Sequence, residues 1–136
     1  MEIDTKIYRI IDANFNRAKE GLRVCEDVCR FILDQQDLTG KYKTVRHQLS
    51  DIVCSLKIKT FIESRNIEGD VGKKSSVTEF CREDMEDIFF ANSQRSKESV
   101  RVLEEFFKLV SNERAQELKT LRYEIYAIEK KVTKKL

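Results

Sequence analysis

Ala13-Asn14-Phe15-Asn16-Arg17-Ala18-Lys19-Glu20-Gly21-Leu22-Arg23-Val24-Cys25-Glu26 decides how the chain is read, because most of it is written twice. The second writing is Ala91-Asn92-Ser93-Gln94-Arg95-Ser96-Lys97-Glu98-Ser99-Val100-Arg101-Val102-Leu103-Glu104, at a constant offset of 91 − 13 = 78. The echo continues downstream, where Lys43-Thr44-Val45-Arg46-His47-Gln48-Leu49 answers Lys119-Thr120-Leu121-Arg122-Tyr123-Glu124-Ile125 at 119 − 43 = 76. The connection in the second copy is therefore two residues shorter. A repeat of this length sets the architecture before any other signal: the chain is two copies of one unit. The copies are not identical, since Ser99 replaces Gly21 and Tyr123 replaces His47, which marks the halves as functionally unequal.

Outward from that stretch, Ile7, Ile11, Ala18, Leu22, Cys25, Cys29 and Ile32 recur at helical spacing and predict a long amphipathic helix over about 5–33. Asp37, Leu38, Thr39 and Gly40 read as a short turn, and Tyr42, Val45, Leu49, Ile52, Val53 and Leu56 trace a second stripe. A short connection makes the two helices antiparallel neighbours. Periodicity fails between about 63 and 79, where Gly69 and Gly72 fall among charged residues, and a loop of that length in a small domain is usually functional. Ser76 and Glu79 have capping-box spacing and predict a third helix from about 79 to 110. Asn112 then caps a fourth, with Leu118, Leu121, Ile125, Ile128 and Val132 as its stripe.

The expected fold is all-α: four long helices forming two antiparallel hairpins related by the repeat, a pseudo-two-fold bundle. It is read as a single domain over 1–136, with repeat 1 at about 5–60, the loop at 63–79 and repeat 2 at 80–134.

Composition narrows the function. There is no proline and 37% of residues are charged, which suits a helical domain. Twenty-six basic against 24 acidic residues leave a net charge of +2, too even for a chain that coats nucleic acid. No segment has the length and apolarity of a signal or a membrane span, so the cytoplasm is the expected location. Cys25, Cys29, Cys54 and Cys81 lack the histidines or further cysteines of a zinc site and are expected to be reduced core residues.

On a helical wheel Asn14 and Arg17 fall beside the apolar stripe of the first helix and Arg46 beside that of the second; Asn92, Arg95 and Arg122 repeat these placements. An arginine there costs several kcal/mol unless it is paired. Two readings follow: the guanidinium groups converge on phosphate or carboxylate, or each pairs with an internal glutamate such as Glu20 or Glu98. Arg23, Asp27 and Arg30 fall opposite the stripe and, with Glu26, read as ordinary ion pairs; Arg101 and Glu104 are the second copy's counterparts of Arg23 and Glu26. If that face packs on another subunit, these pairs set the register of a homodimer. His47 is the sole histidine and has no nucleophile motif beside it. Glu68 and Asp70, the latter with Gly72 after it, are the loop carboxylates suited to Mg²⁺. No Gly-rich phosphate loop is present, so a nucleotide would be held by side chains.

The blocks Ile11 to Asp27, Arg46-His47, Asp70-Val71-Gly72, Ala91 to Glu105 and Leu121-Arg122-Tyr123 resemble, in order and over nearly the whole chain, a small helical domain of thiamine biosynthesis. It is the monofunctional hydroxymethylpyrimidine-phosphate kinase family, found alone or fused in front of thiamine-phosphate synthase. The resemblance implies ATP- and Mg²⁺-dependent phosphorylation of hydroxymethylpyrimidine phosphate to the pyrophosphate. On the family's positions we assign, from charge and placement, Asp70, Arg17 and Arg95 to catalysis, with Asp70 as the Mg²⁺ ligand. Asn14, Arg46, His47, Gly72, Asn92 and Arg122 are assigned to phosphate or substrate binding, and Glu20, Arg23, Glu26, Glu98, Arg101 and Glu104 to support. Thiamine-phosphate synthase is the implied partner, and its barrel is absent here. Two other classes stay open: a non-catalytic helical module that accompanies the synthase, and another small helical enzyme acting on a dianionic metabolite.

Overall fold

Asp4 opens the first helix by accepting a hydrogen bond from the backbone N of Lys6 at 2.8 Å, and the helix α1 then runs Thr5–Asp27. In the computed structural model, which describes residues 4–76 and 81–136, Ile11, Phe15, Ala18, Leu22 and Cys25 form its buried edge, alternating steps of four and three. Its last turn widens to π-helical geometry over Val28–Ile32, closed by Leu33 N donating to the Val28 carbonyl at 3.0 Å.

The chain reverses at Asp34, whose φ of 53° is left-handed, and α2 follows over Gln36–Val53. The reversal lies earlier than the spacing predicts. Asp37 to Gly40, read as a turn, are the first turns of α2, where Asp37 faces the positive helix end and Leu38 is buried. A short helix that the periodicity missed, α3 over Ile58–Glu63, buries Phe61 with its ring edge-on to Tyr8 at 5.3 Å. Among the described residues this short helix joins the four long ones that were expected.

The second half comprises α4 (Met85–Phe107), capped by Asp84 accepting from Asp87 N at 2.9 Å, and α5 (Asn112–Thr133), capped by Ser111 accepting from Arg114 N. The cap of the third long helix is therefore Asp84; the capping box at Ser76 and Glu79 involves Glu79, outside the described residues. Likewise the cap of the fourth is Ser111, one residue before the expected Asn112. Among the described residues there is no strand, and no helix is long and apolar enough to cross a membrane.

The four long helices close into a ring, α1 on α4, α4 on α5, α5 on α2 and α2 on α1, around a core that includes Leu22, Tyr42, Leu49, Phe89, Leu103, Phe107, Leu118 and Ile125. α1 and α4 run antiparallel and very close. A Cβ on Gly21 would lie 2.4 Å from Ser96 Oγ and 2.8 Å from the Asn92 carbonyl. Ser96 Oγ reaches the Ala18 carbonyl at 3.4 Å, so the two helices meet at residues that are each other's repeat equivalents. Cys25 and Cys29 are buried as expected, but Cys54 and Cys81 are exposed, because both follow or precede the long helices rather than lining them.

Candidate functional site

A cleft of about 500 Å³ opens between the first half of α1 and the segment after α3. Lys6, Arg9, Asn14 and Arg17 line it from the helix, and Arg65 and Asp70 from the segment. The segment is fastened by a bidentate ion pair: Arg65 Nε donates to Asp12 Oδ2 at 2.6 Å and Arg65 Nη2 to Oδ1 at 2.9 Å. Asp12 is buried and also accepts from Asn16 Nδ2 at 3.1 Å, which holds its carboxylate in one orientation. Asp70 Oδ1 accepts from the Gly72 backbone N at 3.0 Å, a tight turn that leaves the carboxylate on the exposed loop.

Four cations and two carboxylates therefore line this cleft, an excess of positive charge suited to an anion. Arg17 stands in it, exposed rather than on a buried flank. Asn14 is buried, yet its amide donates to the Ile10 carbonyl at 2.9 Å within its own helix, and Asn92 does the same to Ile88 at 2.8 Å.

The four arginines expected to share polar cavities are dispersed. Arg46 is drawn onto buried Glu26, with Nε 3.2 Å from Oε1, and Arg122 onto buried Glu104, with Nε 2.9 Å from Oε2. Arg23 joins Glu26 at 3.4 Å and Arg101 joins Glu104 at 3.0 Å, so the two halves carry matching Arg-Glu-Arg triads at repeat-equivalent residues. Arg46 and Arg122 are thus paired, as one reading allowed, with Glu26 and Glu104 in place of Glu20 and Glu98. α2 and α5 lie close enough to cover these glutamates. The bond from Glu104 also raises the Arg122 pKa.

Arg95 is exposed and stands 4.0 Å from Glu20 across the α1–α4 seam. Glu98 is exposed and accepts from Gln94, and His47 is exposed on α2. Of the residues marked in the sequence, the structure brings together Asn14, Arg17 and Asp70, with Gly72 hydrogen-bonded to Asp70, while Lys6, Arg9, Asp12 and Arg65 were not marked. A signal for these existed in the repeat itself: at the offset of 78, Lys6, Arg9 and Asp12 correspond to Asp84, Asp87 and Phe90, so both flanking cations are reversed in charge. Among the described residues no group of three or more histidine, cysteine or acidic side chains forms a cage for a metal.

Relatives share this helical domain as part of something longer. The chain is 39% identical over 127 residues to the thiamine-phosphate synthase of Prochlorococcus marinus strain AS9601, covering 93% of the chain and 35% of that protein. It is 38% identical over 122 residues to the thiamine-phosphate synthase of Rhodopirellula baltica, covering 89% and 32%. The chain thus spans about a third of the length of the curated relatives it matches. No solved structure matches it. The model of the ThiD2 family matches residues 9–131, which takes in most of every helix of the ring and, Lys6 apart, the residues lining the cleft beside α1, and the chain belongs to the ThiD2 family.

Proposed function

We propose that the chain serves thiamine biosynthesis beside thiamine-phosphate synthase, and that its own reaction is ATP-dependent phosphorylation of hydroxymethylpyrimidine phosphate to the pyrophosphate. The observation that carries the reaction is the cation-lined cleft with Asp70 at its edge. The acceptor is a phosphate monoester, so its oxygen is nucleophilic without a protein base. The barrier is the approach of two anions, and positioning with charge neutralisation is what phosphoryl transfer chiefly needs. An acceptor oxygen bonds to the γ-phosphorus, the bond from that phosphorus to the β-bridging oxygen breaks, and ADP leaves.

Within this reading Arg17, Arg9 and Lys6 hold the acceptor phosphate, and the Arg65–Asp12 pair keeps the segment bearing Asp70 against α1. Arg95 and Asn92, on α4, remain proposed contributors, as do Arg46, His47 and Arg122, of which Arg46 and Arg122 are committed to the triads. The donor set suits a Mg²⁺ carried by nucleotide phosphates, with Asp70 as its protein ligand, rather than a dedicated protein site. Bound there, the ion would supply charge neutralisation on the phosphates.

The relatives bear more directly on a second reading. Each matches over about a third of a protein named thiamine-phosphate synthase, as expected of a helical module that accompanies the synthase without chemistry of its own. Turnover separates the two. The chain is incubated with ATP, Mg²⁺ and either hydroxymethylpyrimidine phosphate or the free alcohol. The kinase reading expects pyrophosphate product from the phosphate and little from the alcohol, which lacks both the anionic handle and a positioned base. No product from either acceptor, together with co-elution with the synthase, would leave the accompanying module standing.

A further inference from the structure

The second repeat holds a further cleft. It has a volume of about 680 Å³ and lies where the end of α4 meets the start of α5. Arg101, Lys108, Lys119 and Arg122 line it around Glu104, and Tyr123 closes one side. The charges do not cancel. Glu104 holds Arg101 and Arg122, and Glu105 holds Arg101 and Lys108 at 2.8 Å each, which sets two carboxylates against four cations. Among the described residues no hydrogen bond or ion pair engages the Lys119 side chain, which is exposed on α5.

Tyr123 supplies what simple charge does not. Its ring is 58% exposed, yet it is braced, with the Arg122 guanidinium 5.2 Å from its centroid and the Tyr126 ring edge-on at 6.0 Å. An exposed aromatic face held rigid beside convergent cations offers a flat ring a place to stack while its phosphate meets the cations. In the first repeat the position of Tyr123 is His47, and Arg30, the counterpart of Lys108, is turned onto Phe31 with its guanidinium 4.6 Å from that ring. The triads are common to both halves; the aromatic wall is not.

We infer that this cleft is a second binding site, for a small aromatic compound carrying phosphate, with Tyr123 as the stacking face and Lys119 and Lys108 as the phosphate contacts. The inference is independent of the cleft beside α1. Two sources fit the chemistry, a nucleotide and a phosphorylated pyrimidine, and the test separates them.

Binding of ATP, hydroxymethylpyrimidine phosphate and inorganic pyrophosphate is measured by calorimetry on the native chain and on Lys119→Ala, Tyr123→Ala and Arg17→Ala. Lys119 and Tyr123 are exposed, so both variants should fold, and circular dichroism verifies it. Lys119→Ala should weaken one aromatic phosphate and pyrophosphate alike, by about tenfold. Tyr123→Ala should weaken the aromatic phosphate by a similar factor and leave pyrophosphate unchanged. Whichever aromatic ligand responds identifies the source. Native affinities in both variants, or binding of every ligand lost only with Arg17→Ala, would overturn the inference and leave the reading of the first cleft intact.

Discussion

Arg122 closes on Glu104 with Nε 2.9 Å from the carboxylate, and both side chains are almost shut off from solvent, 14% and 5% exposed. Arg46 and Glu26 repeat the arrangement at 13% and 4%. A carboxylate so enclosed is tolerable only while its guanidinium partners are in place.

Replacing one partner should therefore cost much more than replacing both. Arg122→Leu leaves Glu104 buried with only the half-exposed Arg101 and should destabilise the chain by about 3 kcal/mol. Adding Glu104→Leu should recover a large part of that. Urea unfolding of the two single variants and the double variant measures the coupling; additive losses would show that the pair does not act as a unit.

The α1–α4 seam makes a separate prediction. Gly21→Ala places a methyl group 2.4 Å from Ser96 Oγ and 2.8 Å from a backbone carbonyl, so the helices must part, at a cost of about 1–3 kcal/mol. Adding Ser96→Ala relieves only the hydroxyl clash, because the Asn92 carbonyl stays, and should restore part of the loss in thermal unfolding.

Thiol chemistry should divide the cysteines in two. Burial pushes Cys25 up to about 12 and Cys29 to about 11, so at pH 8 each is almost wholly the neutral thiol as well as shielded. Alkylation of the native chain at pH 8 should modify exposed Cys54 and Cys81, and all four only after unfolding. Raising the pH toward 11 produces thiolate at Cys29 before Cys25, and mass spectrometry would read that order.

In the cleft beside α1, stability and activity should separate. Arg17 is exposed, so Arg17→Ala should shift stability by no more than about 0.5 kcal/mol while lowering turnover of the phosphorylated acceptor. Arg65→Ala strips buried Asp12 of its bidentate partner and should cost both, with about 1–3 kcal/mol of stability. Full activity in Arg17→Ala and Asp70→Asn together would remove the proposed site.

The repeat offers a geometric check. The matched triads and the contact between Ala18 and Ser96 are what a two-fold relation would produce. Superposing residues 8–60 on 86–134 should bring α1 onto α4 and α2 onto α5, while α3 finds no counterpart among the described residues.

The sequence by itself determined the four long helices and carried the repeat, since apolar spacing and a constant offset are properties of the chain read along its length. It also marked Arg17 and Asp70. Tertiary structure decided which charges are buried. A helical wheel sorts residues by angle about one axis and has no term for a neighbour that covers them, so it could not show that Glu26 and Glu104 are buried. α2 and α5 do so, and they draw Arg46 and Arg122 away from any shared cavity and onto those carboxylates. The fastening of Arg65 to Asp12 was equally hidden, because 53 residues separate the pair and only the packing of α3 on α1 brings them within 2.6 Å.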